Sequence, residues 1–140
     1  MQQKILVLED DLALSAGLCF ELDSAGYLTV AAYTCQKARQ LLKGDYFDLA
    51  LLDVNLPDGN GFDLCREIKV QKPELPVIFL TANDLELDEV TGLEAGADDY
   101  ITKRPLLLHH GPFATRVAPH LVTRGSVKEK TKVKAKQETV

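Results

Sequence analysis

The sequence predicts an α/β fold, a doubly wound parallel sheet with helices on both faces, and three observations carry that reading. Short apolar runs of strand length alternate strictly with segments of helical period from Lys4 to Thr102. The third run, Leu49-Ala50-Leu51-Leu52, holds no polar residue, as a strand covered on both faces requires, and it ends abruptly in Asp53. Turn chemistry follows in Leu56-Pro57-Asp58-Gly59-Asn60-Gly61, where proline fixes φ and glycine and asparagine tolerate positive values. A carboxylate at the carboxyl end of a central strand stands where α/β folds bind their ligands. By itself such an aspartate is more often a turn or cap residue.

Taken in order, Lys4–Leu8 is a short buried strand stopped by Glu9-Asp10-Asp11. Leu14, Leu18, Leu22 and Ala25 recur at about helical spacing, and Gly26 closes that helix as a C-cap would. Tyr27–Ala32, rich in aromatic and β-branched types, is the second strand. Thr34 caps a helix over Gln36–Lys43 with Ala38, Leu41 and Leu42 on its apolar side and Gly44 at its end. Asp48–Leu52 is the third strand. Phe62–Ile68 forms a short helix that stops before Pro73, and Pro76–Leu80 is the fourth strand, leading into Thr81-Ala82. Asn83 and Glu86 resemble a capping box for a helix through Leu85, Val90 and Leu93, ended by Gly96. Ala97–Thr102 is the fifth strand, ending at Lys103.

Every strand but the second therefore ends in a polar, reactive type: Glu9 and Asp10, then Asp53, Thr81 and Lys103. Parallel strands put their carboxyl ends on one sheet edge, so these residues should converge. Two carboxylates about 4 Å apart repel by roughly 4 kcal/mol at an effective dielectric of about 20. Three together need a shared proton or a cation. Hard oxygen ligands with room for water suit Mg²⁺, and metal-assisted phosphate chemistry is the class that follows. Lys103 would hold a phosphoryl oxygen as a point charge, and Thr81 would donate a hydroxyl hydrogen bond to it. The plainer readings are a solvated lysine past a strand end and a threonine cap.

Composition bounds the rest. A chain of 140 residues, 46% apolar, suffices for one domain with a real core. Cys19, Cys35 and Cys65 are odd in number and unpaired in spacing, which argues against a disulfide framework or a zinc site; each reads as a small buried hydrophobe in a reducing, cytoplasmic setting. Ile5–Leu8 is too short an apolar run for a signal peptide, and no run approaches membrane-spanning length. Residues 1–104 carry 19 acids against 9 bases, whereas residues 105–140 carry 2 acids against 7 bases. The acidic body is a poor nucleic-acid binder, and the basic end reads as a solvated tail.

Residues 1–103 resemble the receiver domain of bacterial two-component response regulators. The matching features are Glu9-Asp10 after the first strand, Asp53 followed by Leu56-Pro57-Asp58-Gly59 and Gly61, Thr81-Ala82, and the run from Gly96 to Lys103. The resemblance implies a flavodoxin-like, five-stranded parallel sheet in the order 2-1-3-4-5. It implies a phosphoacceptor switch rather than an enzyme, with Asp53 taking the phosphoryl group from a sensor histidine kinase. It further implies that Asp10 and Asp53 ligate Mg²⁺ directly, Glu9 through water and Asn55 by its backbone carbonyl. Thr81, Ala82 and Tyr100 would form the switch, with Thr81 moving to the phosphate and Tyr100 rotating inward behind it. The output would be transcription control by a winged-helix parent, with DNA reached only through an output domain outside this chain.

Three other readings are weaker. A haloacid-dehalogenase-like phosphatase needs a second acid two residues after its nucleophile, where this chain has Asn55. A flavodoxin-like cofactor carrier needs a first loop that cradles phosphate, which Glu9-Asp10-Asp11 would repel. The third is a phosphorylation-impaired receiver fold acting as a protein-interaction module because its C-terminal end is altered.

That end does depart from the family. Lys103-Arg104-Pro105 stands where the family has lysine followed directly by proline, and Leu106-Leu107-Leu108-His109-His110 follows. The sequence divides into a receiver domain over 1–103, an atypical segment over 104–124 in place of the last helix, and a disordered basic tail over 125–140. It reads as a frame-shifted or truncated end of a longer regulator. The one helical candidate, Phe113–Arg124, carries Val117, Leu121 and Val122 on one side, and Pro119 should stop it near Ala118 at about 3 kcal/mol. The sheet face beside the first and fifth strands would then be partly bare, inviting homodimerisation or exchange of this segment between chains.

Overall fold

The computed structural model describes residues 2–81, 95–102 and 117–121. Its elements run β1 (Lys4–Leu8), α1 (Leu12–Ser24), β2 (Leu28–Ala32), α2 (Cys35–Gly44) and β3 (Leu49–Asp53). They continue through β4 (Asn55–Leu56), β5 (Gly59–Asn60), α3 (Gly61–Gln71), β6 (Val77–Thr81) and β7 (Asp99–Thr102). The five longer strands form one sheet in the order β2-β1-β3-β6-β7, every neighbouring pair parallel. Counted along the chain that is 2-1-3-4-5, as expected.

The alternation of side chains along each strand divides the core in two. Leu6, Leu8, Ala50, Leu52 and Phe79 point to the face that α2 and α3 cover with Ala38, Leu42, Leu64, Cys65 and Ile68. Ile5, Val7, Leu49, Leu51, Ile78 and Leu80 point to the other, against Leu18 and Leu22 of α1. This two-sided burial is why β1, β3 and β6 are written as unbroken apolar runs.

The helices begin and end by local chemistry. The Asp11 carboxylate accepts from the Leu14 amide at 3.0 Å and starts α1. The Thr34 hydroxyl accepts from Lys37 N at 3.1 Å and starts α2, and Asn60 accepts from Phe62 N and Asp63 N at 2.7 and 3.2 Å to start α3. Gly26 and Gly96 have φ of 99° and 94°, the left-handed conformation that lets the chain turn off a helix end. The expected capping box at Asn83 lies outside the described residues.

Residues 117–121 are helical, and this corrects the expectation that the helix stops near Ala118. Pro119 is exposed within it, while Val117 and Leu121, four apart, are fully buried against the cluster of Ile5, Val7 and Ile101. Burying two such side chains is worth roughly 1.5–3 kcal/mol each, enough to offset a cost of about 3 kcal/mol for an interior proline. The segment is also tied to the sheet by Gln3 Nε2 donating to the Leu121 carbonyl at 3.2 Å, and by His120 Nε2 lying 3.0 Å from Asp99 Oδ2 of β7. Ile5, Val7 and Ile101 are at most 3% exposed, so the bare apolar patch expected to drive association is absent at those residues.

Candidate functional site at the carboxyl ends of the strands

Three acids follow β1, and local structure gives each its own task. Asp11 serves as the cap of α1. Glu9 is fully buried; its amide donates to the Ala32 carbonyl at 3.1 Å, and its Oε2 accepts from Asp11 N at 3.0 Å. Asp10, between them, is exposed. The β1–β3 register sets Leu8 beside Leu52, so Asp53 at the end of β3 lies one residue past the pair that leads into Glu9. Asp53 is 5% exposed. Carboxylate oxygens of Glu9, Asp10 and Asp53 all lie within 4.8 Å of one another.

That geometry carries the electrostatics. Charges at such separations repel by roughly 3–4 kcal/mol per pair at an effective dielectric of about 20. Two of the three groups are buried, so water screens them poorly. A hard divalent cation ligated by oxygen fits this donor set, and the set has no nitrogen or sulfur that would favour zinc.

The opposite side of the site comes from β6 and β7. Thr81 ends β6 one residue beyond the pairing of Asp53 with Leu80, is fully buried, and pairs in register with Thr102. Tyr100 sits one strand over, in register with Phe79 and half-buried against the α2–α3 side of the core. Asn55 lies in β4, two residues after Asp53, at the start of a short antiparallel hairpin with β5. Glu9, Asp10 and Asp53 are thus brought together at one sheet edge, while Thr81 ends the neighbouring strand, Asn55 follows Asp53 by two residues and Tyr100 lies one strand further. Ala82 and Lys103 lie outside the described residues.

Two residues of the loop after Asp53, read from the sequence only as turn chemistry and family features, make contacts that sequence reasoning did not foresee. The amide of Gly61, at the start of α3, donates to the Val54 carbonyl at 2.7 Å, and a Cβ built on Gly61 would stand 2.2 Å from the Asp53 carbonyl oxygen. Only glycine allows α3 to begin so close to the strand that carries Asp53. Asp58 reaches across to α2, its Oδ1 and Oδ2 accepting from the amides of Cys35 and Gln36 at 2.7 and 3.0 Å. Those bonds, Cys35 first, hold its carboxyl below the ordinary range. The signal for Gly61 was its place directly after a capping asparagine; nothing local marks Asp58 as more than a turn residue.

Cys19, Cys35 and Cys65 are free thiols; Cys35 and Cys65 are buried as expected, whereas Cys19 is only half-buried, and burial pushes Cys35 and Cys65 up to about 11, away from the reactive thiolate.

A single parallel sheet in this order, packed on both faces and with an acid triad at its carboxyl edge, defines a CheY-like variety of the flavodoxin fold. The sequence model of the response regulator receiver domain matches residues 5–107, and the chain belongs to that family. It is a phosphoacceptor domain and not a classical enzyme, and receiver domains are phosphorylated by histidine kinases. Among solved structures, the chain is similar to a CheY-like receiver domain protein from Methanospirillum hungatei, at 27% identity and a TM-score of 0.78, covering 90% of this chain and 98% of that one. It is similar to the non-phosphorylated HemR receiver domain from Leptospira biflexa at 36% identity and a TM-score of 0.74, covering 86% and 94%. It also matches the response regulator TrrA from Thermotoga maritima, solved in complex with Mg²⁺-BeF, at 25% identity and a TM-score of 0.76, covering 85% and 99%. No helix among the described residues is long and apolar enough to cross a membrane.

Proposed function

We propose that Asp53 is the phosphoacceptor of a signalling switch charged by a sensor histidine kinase. The observation that carries this is the convergence of the Glu9, Asp10 and Asp53 carboxylates, two buried and one exposed, within 4.8 Å of one another at the sheet edge. An Asp53 oxygen attacks phosphorus; the P–N bond to the kinase imidazole breaks, its electron pair and a proton going to that nitrogen, and an acyl phosphate remains on Asp53. Asp10, Asp53 and the Asn55 carbonyl would hold Mg²⁺, with Glu9 acting through water. The ion would neutralise charge on the transferred group. TrrA, a relative solved with Mg²⁺-BeF, supports that choice of metal.

The readout follows from charge. A phosphoryl group brings about −1.5 to −2 charges and three acceptor oxygens. Conformations in which the Thr81 hydroxyl donates to it gain most, and the population shifts towards them. Tyr100, half-buried beside Phe79, would follow, and Ala82 and Lys103 complete the proposed switch and phosphate contacts. The relay would serve transcription control through an output domain.

Incubated with a small acyl phosphate and Mg²⁺, the chain should take up one acid-stable, base-labile phosphoryl group, and Asp53→Asn should take up none. Uptake by Asp53→Asn at the parent rate would refute the assignment. Loss of uptake in the parent itself would favour the interaction-module reading.

A further inference from the structure

We infer that Asp58 is a positioning residue for the metal site, acting through the loop that carries Asn55; the inference rests on the proposed Mg²⁺ site. The hairpin of β4 and β5 has two residues in each strand, paired Asn55 with Asn60 and Leu56 with Gly59. A hairpin of that length does not hold its shape in water unaided.

Its fixing points are visible one by one. At its base the Gly61 amide bonds the Val54 carbonyl, and Asn60 is spent on the first turn of α3. Leu56 is half-buried against the α2–α3 side of the core. The tip is held by Asp58, whose two oxygens take the first two amides of α2. The hydroxyl of Thr34, the residue before that helix, accepts from Lys37 N, a different amide. Cap bonds to two amides normally come from the helix's own flanking residues; here the loop after Asp53 supplies them. They are charge-assisted and lie at the positive end of the helix dipole. The approach is close: a Cβ on Gly59 would lie 3.2 Å from Cys35 Sγ.

Asn55 lies in the segment between the end of β3 at Asp53 and the clamp at Asp58, paired with Asn60 across the hairpin. Freeing the tip lets the Asn55 peptide sample orientations that no longer serve the ion together with Asp10 and Asp53. The carboxylate is thus a part of the site that touches neither metal nor phosphate.

The test uses the full chain and three variants, Asp58→Ala, Asp58→Asn and Thr34→Ala, at a temperature where thermal unfolding in chelator shows all of them folded. Two readouts are taken: the Mg²⁺ concentration for half-maximal phosphoryl uptake from a small acyl phosphate, and direct Mg²⁺ titration. Asp58→Ala should raise the half-maximal Mg²⁺ concentration on the order of tenfold, the range seen when a metal ligand loses its outer support, with the rate at saturating Mg²⁺ unchanged. Asp58→Asn keeps one acceptor for Cys35 N and should recover most of that loss. Thr34→Ala weakens the same helix end without touching the loop, so it should lower the melting temperature and leave the Mg²⁺ requirement as in the parent. A parent-like Mg²⁺ requirement in Asp58→Ala would overturn the positioning role and leave the site standing. An equal rise in Thr34→Ala would overturn it too, by tracing the effect to α2 in general. A parent that needs no Mg²⁺ would overturn both the role and the site.

Discussion

Gly61→Ala should destabilise the protein by about 3 kcal/mol or more, the upper range for overpacking a buried site. The methyl carbon would meet the Asp53 carbonyl oxygen at 2.2 Å, the Asp53 carbonyl carbon at 3.1 Å and Val54 Cα at 3.2 Å. All three are backbone atoms, so no side chain can swing aside. Either α3 retreats, breaking the Gly61–Val54 hydrogen bond, or the Asp53 peptide tilts and misdirects the carboxylate. Gly17→Ala is the matched control. Nothing lies within 4 Å of a Cβ at Gly17, inside α1, and alanine there should stabilise by roughly 0.5–1 kcal/mol. Urea unfolding of the two variants would show opposite shifts. Equal, small effects would mean that the start of α3 tolerates displacement and that glycine is not what seats Asp53.

Asp10→Asn should weaken Mg²⁺ binding by about tenfold or more, at least the loss expected for an outer-shell change, and should leave metal-free stability unchanged or higher. The two effects have one cause. Asp10 is the exposed member of a triad whose oxygens lie within 4.8 Å, and removing its charge relieves repulsion that the metal otherwise balances. Among the described residues Asp10 takes part in no ion pair that its loss would break, unlike Asp45, held by Lys4, or Asp98, held by Lys69 at 3.0 Å. Thermal unfolding in chelator and calorimetric Mg²⁺ titration separate the terms. A metal-free loss of several kcal/mol would show that Asp10 is a structural partner instead.

What could be read from the sequence follows the physics of each element. Strand β1 runs over Lys4–Leu8 as expected, and β3 and β6 lie within one residue of the expected bounds, because burial on both faces writes an unbroken apolar run whose shortness and polar flanks mark it as a strand. The convergence of Glu9, Asp10 and Asp53 followed from parallel topology. Thr34 was legible as a cap because capping is local. The miniature strands β4 and β5 were not legible: four exposed or half-buried residues leave no periodic trace. Asp58 was hidden for another reason. Its partners, Cys35 and Gln36, lie more than 20 positions away. The helical residues 117–121 were misjudged because the cost of Pro119 was weighed without the burial of Val117 and Leu121, which only the sheet face supplies.

Asp53 alone should receive the phosphoryl group. Borohydride reduces an aspartyl phosphate to homoserine, so peptide mapping after treatment with acyl phosphate, Mg²⁺ and borohydride names the acceptor by position. The expected result is homoserine at residue 53 and nowhere else, with no conversion when Mg²⁺ is chelated. Homoserine at Asp10, or an acid-labile phosphoryl group on His109, His110 or His120 with Asp53 intact, would contradict it.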